Sequence, residues 1–141
     1  MYKSLQIRGI GFAGLAVILG AFGAHGLKAV LSVSSLATFE TGVKYQFMHA
    51  LALILLSIMV SNQMQSPTAS TSSLSSTLKG LRNAGLFFTI GICLFSGSLY
   101  LLAIQTILPF QLGAWMGPIT PIGGFFFILG WVNWGIAIAR G

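Results

Sequence analysis

Four stretches of this chain are apolar for long enough to cross a lipid bilayer, and nothing else in the sequence constrains the fold as tightly. A helix needs about 20 mainly apolar residues to span roughly 30 Å of hydrocarbon. The stretches cover residues 5–24, 43–60, 84–104 and 119–138. Within hydrocarbon each segment must satisfy its own backbone amides, so each reads as a helix. The expected fold is all-α: a polytopic membrane protein, a bundle of four transmembrane helices forming one domain over residues 1–141. Composition agrees, because only 6% of residues are charged. A soluble domain carries about 25%, and so few charges could not cover a surface facing water. The first stretch also resembles a signal peptide, with Lys3 and Arg8 ahead of it and Ala21-Phe22-Gly23-Ala24 as a small-residue cleavage site. Its apolar part is long for a leader and glycines punctuate it, which favours a retained span.

Cations give the orientation. Four spans place Lys3, Arg8, Lys79, Arg82 and Arg140 on one side, and Lys28 and Lys44 with Glu40 on the other. The cation-rich side is expected to be cytoplasmic. Both the N- and C-termini and the second connection then face the cytoplasm. The net charge of +6 has no clustered basic face of the kind nucleic acid requires. The lipid bilayer, with its anionic surface, is the partner these scattered cations fit.

The connections differ in character. Residues 61–79 include Ser66-Pro67-Thr68-Ala69-Ser70-Thr71-Ser72-Ser73, polar and without apolar periodicity, and read as a flexible cytoplasmic loop ending at Lys79 and Arg82. Residues 25–42 contain Leu27, Val30, Leu31 and Leu36 among serines, and Ser34 or Ser35 is expected to cap a helix running through Phe39 and Glu40 into the second span. Residues 105–118 are too apolar for a solvated loop. They read as lying in the outer interface, with Trp115 at headgroup level and Pro118 or Pro121 starting the last helix.

Lipid tails are as apolar as leucine, so close backbone packing must hold the helices together. Small residues recur at helical spacing: Gly9, Ala13, Ala16, Gly20 and Ala24; Ala84, Gly91 and Ser98; Gly123, Gly130 and Ala137. These stripes fit a compact bundle or an oligomer interface equally well.

Polar and ionisable groups at membrane depth are costly, about +2.5 to +3.5 kcal/mol for a central charge on translocon scales. The entry to the second span gathers most of them: Glu40, Lys44, Tyr45, Gln46 and His49. Glu40 and Lys44 stand four apart with the acid first, the favourable order for a helical ion pair. His49 is expected just inside the outer edge of the bundle, with His25 at the same level. These six residues form the candidate polar cluster. Metal ligation by His25, Glu40 and His49, a proton relay and a small-solute site are its functional readings. The plainer one, a hydrogen-bond network tying helices together, is preferred because isolated polar groups within bundles usually play that part.

Catalytic signatures are missing. One carboxylate side chain in the whole chain excludes paired-carboxylate chemistry, and no GxSxG or phosphate-binding loop occurs. His25 and His49 lack local metal-ligand spacing, and the single Cys93 has no CxxC partner. Neither a cofactor nor an enzymatic activity is expected.

Several segments together resemble the small bacterial inner-membrane proteins of domain-of-unknown-function family 423, the YgdD/YwdK-like proteins. They are Gly20-Ala21-Phe22-Gly23-Ala24-His25-Gly26-Leu27, Phe39-Glu40-Thr41-Gly42-Val43-Lys44-Tyr45-Gln46 with His49-Ala50-Leu51-Ala52, Phe95-Ser96-Gly97-Ser98-Leu99-Tyr100, and Gly117-Pro118-Ile119-Thr120-Pro121-Ile122-Gly123-Gly124. The resemblance implies a four-helix protein of the cell inner (plasma) membrane, and it lends no reaction. The Ser/Thr-rich stretch is longer than that family's usual connection. The function expected is a structural or accessory membrane component, as a homo-oligomer or within a larger membrane complex. The alternative is a small-solute or ion conduit using the polar cluster at the outer end of the second helix.

Overall fold

The structure, a computed structural model, describes residues 2–65, 71–109 and 116–140. Among these, every long element is helical: α1 (Tyr2–His25), α2 (Val33–Gln65), α3 (Thr71–Gly91), α4 (Gly97–Ile104) and α5 (Ile119–Ala139). A π-helical turn, Ile92–Ser96, joins α3 to α4 without a break. In that turn the Gly97 amide reaches back to the Ile92 carbonyl, five residues earlier. Four helical runs are long and apolar enough to cross a membrane: α1 with its extension, α2, the α3–α4 run and α5. The protein is a four-span helical membrane bundle.

The helices outrun the apolar stretches. The second span, expected over 43–60, extends over Val33–Gln65. Ser32 caps it, its Oγ accepting the Ser35 amide at 3.1 Å, in place of the expected Ser34 or Ser35. The loop predicted over 61–79 is largely helix, because α2 reaches Gln65 and α3 begins at Thr71. Leu74 and Leu78 within that stretch and Leu81 just beyond it fall at helical spacing, and Leu81 is fully buried. Serine and threonine masked this apolar face in the sequence, since they disfavour a helix only weakly. Residues 66–70, the centre of the predicted loop, and Trp115 lie outside the described residues. Pro118 stands immediately before α5, as expected, with Pro121 inside its first turn.

α1 and α2 form one tight antiparallel pair, and α3 and α5 another. The small residues make both approaches possible. A Cβ on Gly9 would stand 2.9 Å from the Ala50 carbonyl oxygen of α2, and one on Gly80 would stand 2.7 Å from the Ala137 Cβ. Gly91 and Gly130 receive the rings of Phe127 and Phe88. Gly123 lies against the backbone of Phe95 in the π turn. Apart from the exposed Ala24, the stripes are thus used within the bundle.

The interior has two apolar clusters, one towards each end. Leu5, Leu53, Leu56, Val60, Leu81, Ala84 and Phe88 occupy the end where α1 begins. Leu27, Leu31, Phe39 and Ala103 occupy the other. Between them α2 carries Gln46 and His49, both buried.

Candidate functional site

Gln46 and His49 stand three residues apart on α2 and so share one face of the helix. Each makes a contact to other helices. The Gln46 amide nitrogen donates to the Phe12 carbonyl of α1 at 2.9 Å. The Tyr100 hydroxyl of α4 donates to Gln46 Oε1 at 2.9 Å. A backbone carbonyl only accepts, so the first bond fixes which way the amide points. Gly42, one turn before Gln46, makes room for Tyr100: a Cβ there would stand 2.8 Å from the ring. Phe39 packs on the same ring at a centroid distance of 4.8 Å.

His49 completes the set. Its Nδ1 lies 2.8 Å from the Tyr45 carbonyl one turn earlier. The indole N–H of Trp131 on α5 donates to its Nε2 at 3.2 Å. A carbonyl cannot donate and an indole cannot accept, so the two partners select the tautomer with its proton on Nδ1. Phe127 of α5 stacks on the imidazole, with centroids 3.6 Å apart and planes at 8°, and Phe88 of α3 closes a further side at 5.4 Å. Gln46 and His49 thereby join α2 to α1, α3, α4 and α5 at one level.

That level is deep. His49 lies sixteen residues from either end of α2, and Phe12 and Trp131 are likewise far from the ends of their helices. The cluster was expected near the outer edge, just inside the start of the apolar stretch at Tyr45. It sits midway along α2 instead, because the helix runs on to Gln65 as well as starting at Val33. Water is scarcest at this depth, so unpartnered polar groups there cost most.

The six candidate residues divide. Tyr45, Gln46 and His49 come together, with Tyr45 contributing its carbonyl to His49 and its ring to Phe95 at 4.7 Å. His25, Glu40 and Lys44 are exposed on the bundle surface. Among the described residues Glu40 and Lys44 form no ion pair, and no group of three or more His, Cys, Asp or Glu side chains gathers to hold a metal. Phe12, Phe127 and Trp131 complete the site without having been singled out, and Tyr100, noted only within one of the family-like segments, joins them. The readable signal was Trp131, a tryptophan deep within a span when the residue favours the interface.

Beside the network the bundle surface opens into a lateral groove of about 640 Å³, bordered by Tyr45, Met48, His49, Phe95, Phe127 and Trp131. Trp131 is 49% exposed there, so the Trp131–His49 pair forms one wall of a cleft facing the lipid.

The family model "Protein of unknown function (DUF423)" matches residues 19–124. The chain belongs to the DUF423 family. Its relatives include the UPF0382 membrane protein YwdK of Bacillus subtilis, 37% identical over 118 residues, covering 84% of this chain and 81% of YwdK. The UPF0382 membrane protein SSP2132 of Staphylococcus saprophyticus is 41% identical over 118 residues, covering 84% of this chain and 82% of its own length. The UPF0382 inner membrane protein YgdD of Escherichia coli is 33% identical over 115 residues, with 82% and 73% covered. No solved structure matches the chain. The DUF423 match encloses Gln46, His49 and Tyr100, while Phe12, Phe127 and Trp131 lie outside it.

Proposed function

We propose that this DUF423 protein is a non-enzymatic component of the inner (plasma) membrane, structural or accessory in role, with both termini in the cytoplasm. The observation that carries the reading is that the polar atoms of its central layer are satisfied within the bundle. The amide nitrogen and oxygen of Gln46 and both nitrogens of His49 are engaged within the bundle. Apolar side chains seal the layer towards the cation-rich end, where Leu53, Leu56, Leu81 and Phe88 are each 0% exposed. An acid–base catalyst needs a proton site open to substrate, and a conduit needs polar groups leading to both faces. Neither the fold nor the relatives favour the conduit alternative. An accessory component works by contact, and the small-residue stripes are already spent inside. Assembly with a second copy or with a larger membrane complex would use another surface, such as the groove beside His49 and Trp131.

Two measurements test this. In proteoliposomes, proton and potassium fluxes should equal those of protein-free vesicles, and a flux abolished by His49→Ala would overturn the reading. In mild detergent the protein should migrate with a second copy or with partners. Strictly monomeric, partnerless protein would refute the accessory role.

A further inference from the structure

We propose that Arg8, held by Thr89 and supported by Arg82, forms a binding site for the headgroup of an anionic phospholipid in the seam between α1 and α3. The proposal starts from a charge without a counter-charge. Arg8 lies five to six residues short of the middle of α1, so its backbone is roughly 8 Å from the bundle midplane and inside a hydrocarbon half-layer of about 15 Å. A cation at that depth requires compensation. The chain has a single acidic side chain, Glu40. Gly9, next to Arg8, faces Ala50 and Ile54 of α2, and Glu40 is ten or more residues further along α2, roughly 15–20 Å away. Lys44, the other cation on a span, has Glu40 one turn from it. Among the described residues Arg8 has no acid within reach.

The neutral partners of Arg8 position it without neutralising it. Nε donates to the Ser4 carbonyl at 3.2 Å, which draws the side chain back towards the start of α1. Nη1 donates to Thr89 Oγ1 at 2.9 Å, and that hydroxyl donates onward to the Gly85 carbonyl at 2.7 Å. Among the described residues Nη2 has no partner. A guanidinium has five donors in a planar fork, and a fixed fork with a free edge suits the oxygens of a phosphodiester.

The seam supplies the rest. Leu5 of α1 packs onto Gly85 of α3, and Arg8 meets Thr89 one turn deeper, so α1 and α3 run parallel along this stretch. Arg82 stands seven residues before Thr89, on the same face of α3 and exposed. It lies about 10 Å nearer the cation-rich end, where a headgroup would extend from a phosphate held by Arg8. The chemistry requires a singly charged phosphodiester anchored by acyl chains, since Arg8 is half-buried on the side of a membrane-spanning helix.

The test uses the full-length protein, purified in dodecyl maltoside and delipidated, with bound lipid counted by native mass spectrometry. Phosphatidylglycerol should bind the wild type at least about tenfold more tightly than phosphatidylcholine. Arg8→Gln should remove most of that preference, Arg8→Lys part of it and Arg82→Gln several-fold of it. Lys28→Gln, at the opposite end, should leave it unchanged. If Arg8→Gln fails to fold, Thr89→Val keeps the charge and releases its anchor, and should weaken binding with Arg8→Lys. The proposal is overturned by a wild type without preference, by variants that bind as the wild type does, or by inorganic phosphate displacing the lipid at equal concentration.

Discussion

Replacing Gly123 with alanine should destabilise the bundle far more than the same change at Gly135 on the same helix. At Gly123 the new methyl carbon would meet Phe95 N and would stand 2.7 Å from Phe95 Cα. Ordinary contact begins at 3.4 Å, so α5 must retreat from the π turn by about 0.7 Å or more. The obstacle is backbone, so no side-chain rotation relieves it. A gap of that size forfeits about a quarter to a half of the dispersion energy of each contact it opens. Those contacts include Phe95 against Phe127, whose ring stacks on His49. Overpacking of this kind costs about 1–3 kcal/mol, and a value of about 2 kcal/mol lowers the folding equilibrium constant roughly thirtyfold. At Gly135 nothing lies within 4 Å, so alanine there should stay within about 0.5 kcal/mol of the parent. Unfolding in dodecyl maltoside titrated with sodium dodecyl sulfate, followed by tryptophan emission, measures both. Equal stability of the two variants would refute the close approach of α5 to the π turn.

The polar layer and the orientation give two further expectations. His49→Ala removes the Trp131 bond and the Phe127 stack and should cost about 2–4 kcal/mol. Tyr100→Phe removes one bond between helices and should cost about 0.6 kcal/mol. The same titration reads both, and an unchanged His49→Ala midpoint would mean that the imidazole ties nothing together. For orientation, Ser72→Cys in a Cys93→Ala background should react with an impermeant maleimide only after the cytoplasmic side is opened, while Lys28→Cys should react in intact cells. The reverse pattern would invert the topology.

The sequence showed the bundle plainly because leucine, isoleucine and phenylalanine in runs of twenty have few other uses. It showed the ends of the helices unevenly. The start of α2 was legible in the serines ahead of Phe39, with Ser32 rather than Ser34 or Ser35 as the cap, whereas α3 gains a start among serines whose weak preference against helix is overruled by Leu78 and Leu81 packing inward. The site was half legible. Gln46 and His49 stand out as polar residues in an apolar run, and three residues apart they must share a face. Their partners could not be read from local spacing, because Phe12, Tyr100 and Trp131 are 34, 54 and 82 residues away along the chain. Glu40 and Lys44 drew notice through their spacing, yet both ended on the surface. An exposed ion pair between flexible side chains contributes little.

The extra residue in the turn Ile92–Ser96 sets the phase of everything after it. One residue more per turn rotates the following helix by about 100° relative to an uninterrupted α-helix. That rotation aims Tyr100 at Gln46 while Phe95 still meets Gly123. A chain one residue shorter at Cys93 would make a smoother helix of nearly the same length, but its tyrosine would face away from α2. At this point the third crossing measures angle as well as distance, and a deletion that leaves the hydrophobic span intact would still disconnect the centre of the molecule.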